Sequence, residues 1–135
     1  MMTPREYTAH LSATRHGPHD DDTTTAVAAL VAEAIRWLAY ATRPGSGGVS
    51  TPTTVYDLVN ELDTAIYRIP QVLSYLADGL NAEVSIISDG PATVDDVRTA
   101  LGEAMRSAYH LTRLLANVAN LSAALRPAES PAEVA

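Results

Sequence analysis

Apolar residues recur along most of this chain at three- and four-residue steps, the spacing that lines one face of an α-helix. Val27, Leu30, Val31, Ala34, Ile35, Leu38 and Ala41 give a first helix from about Thr24 to Thr42. One of Asp20 to Asp22, or of Thr23 to Thr25, serves as its N-cap, where a side-chain oxygen takes up an orphan backbone N–H. Pro44 and Gly45 stop it. The stretch Arg43 to Pro52 is a flexible loop, and a second helix begins at Thr53 or Thr54. Its line is Val55, Val59, Leu62, Ile66, Ile69, Leu73, Leu76 and Leu80, a heptad alternation that keeps its phase across Pro70. A proline inside a helix costs about 3 kcal/mol and usually kinks or breaks it. The unbroken phase favours a kinked, continuous helix; a break at Pro70 is the alternative.

Val84 to Ile87 is a short β-branched run, too brief for a sheet, that plugs the end of a bundle. Thr93 with Asp96 has the spacing of a capping box. The last helix follows the line Val94, Val97, Leu101, Ala104, Ala108, Leu111, Leu115, Val118, Ser122 and Leu125. At 1.5 Å per residue it would be ~48 Å long. Pro127 ends it. The expected fold is therefore all-α: an elongated bundle of three long helices, the middle one kinked at Pro70, or four helices if it splits there. The bundle domain covers 23–126, with flexible polar tails at 1–22 and 127–135.

The composition agrees. The chain of 135 residues has no Phe, one Trp and abundant Ala and Leu, both strong helix formers. All nine basic residues are Arg, and the bias toward Ala and Arg suggests a GC-rich coding sequence. The net charge of −7 disfavours binding to nucleic acid, and no basic recognition helix is present. The absence of cysteine excludes disulfides and thiol chemistry. No apolar run is long enough for a signal peptide or a membrane span, so a cytoplasmic location is expected.

The block from Tyr56 to Leu80, with Ile69-Pro70-Gln71 at its centre, resembles a segment of small helical proteins from actinobacterial genomes. That resemblance implies no activity. A Trp-x-Gly turn of the kind found in secreted helical-hairpin proteins is absent, since Trp37 is followed by Leu38 and Ala39.

Candidate chemistry is sparse. His16 and His19 with Asp20 to Asp22 lie in a tail where ligands would not be held in geometry. Asp96, Glu103 and His110 recur every seven residues, ~10.5 Å apart along the axis, whereas shared ligation on a helix needs steps of three or four. The glycines from Gly45 to Gly48 lack the Lys and Ser/Thr of a phosphate loop. No motif around any Ser points to a nucleophile, with His110 the one His inside the expected fold. Neither an enzyme, a metal nor a cofactor is expected.

Two surfaces rise above this background. Leu114 and Leu121 add a second line to Leu111, Leu115, Val118 and Leu125, a wider apolar face than a two-helix seam needs. On the second helix Tyr56, Asn60, Asp63, Tyr67, Gln71 and Ser74 fall within about 80° of one another, away from the seam, at roughly 100° per residue. Tyr is enriched at protein interfaces, so this row is a candidate acidic docking face. The expected function is that of a non-enzymatic interaction or assembly protein that self-associates, or docks a protein partner, through apolar heptad faces. The alternative is an acidic regulatory or antitoxin-like binder that neutralises a basic protein.

Overall fold

A computed structural model describes residues 1–82 and 93–125. Every regular element in it is a helix: α1 (Pro4–Thr14), α2 (Asp21–Ala41), α3 (Pro52–Ala82) and α4 (Val94–Ala123). The chain falls into two compact units, Met1–Gly48 and Val49–Ala135. The run Val84 to Ile87 and the stretch from Pro127 lie outside the described residues.

The class is all-α, as the periodicity implies, but the helix count differs from the expected three. The additional helix is α1, and it forms where apolar periodicity is missing. Thr3 and Glu6 close a capping box, with Pro4 at the first helical position where its missing N–H is no loss. Nearly every α1 residue is exposed; Leu11 is half-buried. Local capping, not a buried face, specifies this 11-residue helix. Gly17, at φ 102°, adopts the left-handed backbone that a side chain would disfavour, and the chain turns there into α2.

The Asp20 carboxylate caps α2, accepting from the Thr23 N–H at 2.7 Å. At the other end Thr42 Oγ1 donates to the Leu38 carbonyl at 2.8 Å, and the Arg43 guanidinium stacks 4.1 Å above the Tyr40 ring. Gly48 packs so closely on the Ala41 backbone carbonyl that an added Cβ would collide with it. Along α2 the apolar stripe is only half covered: Val27, Leu30 and Leu38 are partly buried, while Val31, Ile35 and Trp37 are exposed.

In the second unit α3 runs unbroken through Pro70, so the alternative of a break there is set aside. It begins with Pro52 in its first turn, and the Thr51 hydroxyl accepts from the Thr54 N–H at 3.1 Å. Helix α4 opens with the anticipated capping box of Thr93 and Asp96.

Helices α3 and α4 pack on each other. Two shared clefts fix their relation. One brings Ser74 and Ala77 of α3 together with Gly102 and Met105 of α4; the other brings Tyr67 and Gln71 together with Met105 and Tyr109. Later α3 residues meet earlier α4 residues, so the pair is an antiparallel hairpin.

The seam of this hairpin is turned by one residue from the expected one. On α3 the covered line is Val59, Asp63, Ile66, Pro70, Leu73, Ala77 and Leu80. On α4 it is Leu101, Met105, Ala108, Thr112, Leu115, Ala119 and Ser122. Of the expected α3 line Val55, Val59, Leu62, Ile66, Leu73 and Leu80 are covered and only Ile69 and Leu76 are exposed; of the α4 line Val94, Leu101, Ala108, Leu115 and Ser122 are covered. Ile69 and Leu76 give way to Pro70 and Ala77, and Leu111 and Val118 to Thr112 and Ala119, while Ala104 gives way to the larger Met105. Pro70 is almost wholly buried, below 2% exposed, and Thr112, Ala119 and Ser122 are buried as well. Small side chains let two helix axes approach closely, which a row of leucines would prevent. The buried hydroxyls are satisfied within their own helix, Thr112 Oγ1 donating to the Tyr109 carbonyl and Ser122 Oγ to the Val118 carbonyl, both at 2.7 Å.

Candidate functional site

The hairpin has two unlike faces. Side chains at successive helix positions turn by about 100°, so each seam has one flank on either side. On the first flank, α3 places Tyr67, Gln71 and Ser74, and α4 places Gly102, Met105 and Tyr109. These residues line two neighbouring clefts of about 370 and 470 Å³. The Gln71 amide donates to the Tyr75 hydroxyl at 2.9 Å, and Arg98 pairs with Asp95 at 2.9 Å in the first cleft. The clefts offer hydroxyls, an amide, the paired Arg98 and Asp95 and the further charges of Asp78 and Arg68, with Met105 and Pro70 as apolar floor. That inventory suits hydrogen bonding and stacking, and contains no imidazole for proton transfer.

Tyr67 stands out on this flank and is exposed; Tyr56, one helical face further toward the start of α3, sits at the margin of exposure. The row expected to project with them is divided. Asp63 and Ser74 are half-buried, and Asp63 lies on the α4 side with Oδ1 buried and without a hydrogen-bond partner. The tyrosine side of α3 is thus less acidic than its sequence row suggests, because the seam has turned toward it.

The opposite flank is apolar. The seam rotation leaves outside the large side chains that the heptad pattern would bury. On α4, Leu111, Leu114, Val118 and Leu121 are all exposed, Leu121 to 64%. Leu125 is exposed at the end of the same line, its N–H donating to the Ser122 carbonyl at 3.0 Å. Leu115 is half-buried and belongs to the seam. On α3, Ile69, Val72 and Leu76 are 40%, 57% and 54% exposed. Sequence reasoning named the α4 residues but placed Leu111, Val118 and Leu125 on the hairpin's own seam, assigned Ile69 and Leu76 to the interior and passed over Val72. The available signal was the small-residue line through Pro70 and Ala77, which competes with the line through Ile69 and Leu76 for the partner helix.

The remaining candidates are occupied locally. Asp20 caps α2 and Asp96 caps α4, and in each the carboxyl is held below its usual range, chiefly by the backbone N–H it accepts. His19 Nε2 lies 3.0 Å from the Arg15 carbonyl. Among the described residues no group of three His, Asp or Glu side chains is placed to hold a metal ion, and no helix is long and apolar enough to cross a membrane.

Comparison of the chain with protein-family models, with curated proteins and with solved structures gives no match.

Proposed function

We propose that this protein is a helical interaction and assembly module, not an enzyme, that self-associates or docks a protein partner through its apolar helix faces. The observation that carries this is the exposed row Leu111, Leu114, Val118 and Leu121 on α4, beside a seam that already satisfies the hairpin. Contiguous apolar surface of this kind is a solubility liability unless another chain covers it. Four large aliphatic side chains within three helical turns, at about 1.5–3 kcal/mol each on full burial, are enough to drive a protein contact.

The test is the molar mass of the full chain by sedimentation, with and without the paired substitution Leu114→Glu and Leu121→Glu. Association above the monomer, abolished in the variant while its helix content stays unchanged, supports the proposal. A chain that is monomeric at high micromolar concentration and retains no protein partner through this row refutes it.

A further inference from the structure

We infer that the partner of the open face is a second copy of this chain, joined as a two-fold four-helix bundle in which α3 of each copy lies over α4 of the other. This rests on the assembly function proposed above and adds its occupant, its second helix and its orientation.

The first support is continuity. Both clefts draw on both helices, so the cleft flanks of α3 and α4 lie on one side of the hairpin. The residues across each seam from them, Ile69, Val72 and Leu76 on one helix and Leu111, Leu114, Val118 and Leu121 on the other, therefore share the other side. From Leu58 to Leu76 this surface is ~27 Å long at 1.5 Å per residue. Two helices ~10 Å apart give it a width of ~20 Å. The flat projection is roughly 540 Å², and side-chain relief brings it toward the ~800 Å² per partner of a standard interface.

Shape is the second. The clefts set Ser74 level with Met105, and at equal rise along both helices Val72 lies level with Ser107 and Leu76 within one residue of Ala104, while Ile69 lies level with His110 and Leu111. Leu114, Val118 and Leu121 lie level with Ala65, Leu62 and Leu58. A two-fold axis parallel to the helices carries α3 of one copy over α4 of the other at unchanged height. Val72 and Leu76 then meet Ser107 and Ala104, Leu114 meets Ala65, and every neighbouring pair of helices is antiparallel, as in an up-down bundle.

The chain has no cysteine, so introduced thiols report the arrangement cleanly. Val72→Cys and Ala104→Cys chains are prepared separately, mixed, and treated with a short bismaleimide. A dimeric native mass, with cross-linked dimer forming in the mixture well above its level in either chain alone, is the expected result. Equal or greater cross-linking of Val72→Cys to itself overturns the orientation. The pair Val72→Glu and Leu76→Glu is expected to give a helical monomer. If that variant stays dimeric while Leu114→Glu with Leu121→Glu dissociates, association through α4 survives and the joint face is wrong. A native monomer overturns the second copy as occupant and leaves only a different partner for the proposed function. Should the glutamate variant unfold, the cross-linking pattern decides by itself.

Discussion

Thr93 and Asp96 cap each other at the start of α4: the Asp96 N–H donates to Thr93 Oγ1 at 3.1 Å, and the Thr93 N–H donates to Asp96 Oδ2 at 2.7 Å. Two orphan donors of the helix end are satisfied by one pair of residues. Thr93→Ala removes one half of the exchange and is expected to lower stability by about 1 kcal/mol, read from the denaturant midpoint.

The same geometry fixes a pH dependence. Thr93, Thr23 and Thr3 each donate to a carboxylate, Asp96, Asp20 and Glu6 in turn, and hold it below its usual range. A carboxyl depressed in the folded state stabilises above its unfolded value of about 4 and loses that contribution as pH falls through the folded value. Helix content should therefore decline from about pH 4 downward. In the Asp96→Asn variant the part of that decline belonging to α4 should be absent. A variant titrating like the native chain would show that the cap is not its source.

Pro70 is caught between two effects. Its ring is buried at the seam, yet it denies α3 one backbone hydrogen bond. Replacement by Ala removes two buried carbons, worth about 1.6 kcal/mol, and relieves an interior-proline penalty of about 3 kcal/mol. The Pro70→Ala variant is expected to melt higher by a few degrees. A lower midpoint would mean that the ring's packing outweighs the missing bond.

Asp63 presents a buried acceptor, Oδ1, with no donor. An unsatisfied buried polar atom costs about 1–3 kcal/mol, and Ala is the better helix former. Asp63→Ala should raise the denaturant midpoint. Destabilisation would show that the carboxylate has a partner in solution, such as an ordered water.

Helix α1 is held by its own cap and is exposed along nearly all of its length. Removing residues 1–18, which leaves Asp20 to cap α2, should move the thermal midpoint by less than a few degrees while reducing helix content in proportion to the missing turns. A large fall would reveal that α1 packs against another part of the protein.

The helices themselves are determined locally, which is why so much of the fold is legible in the sequence. Val94 to Ala123 and Pro52 to Ala82 follow from 3.6-residue periodicity, from the caps at Thr93 and Thr51, and from the Gly and Pro residues that stand before each in the sequence. Even α1, which lacks a periodic face, is written in the chain as Thr3, Pro4 and Glu6. The tertiary structure decided which stripe of each helix is spent on the other. On each helix two lines share their alternate members, passing through Ile69 and Leu76 or Pro70 and Ala77 on α3 and through Leu111 and Val118 or Thr112 and Ala119 on α4, and heptad spacing cannot choose between them. Close approach of the backbones chose the smaller line, through Pro70 and Ala77 and through Thr112 and Ala119, because contact between two helices is limited by side-chain bulk. That choice left Ile69, Val72 and Leu76 outside beside Leu114 and Leu121.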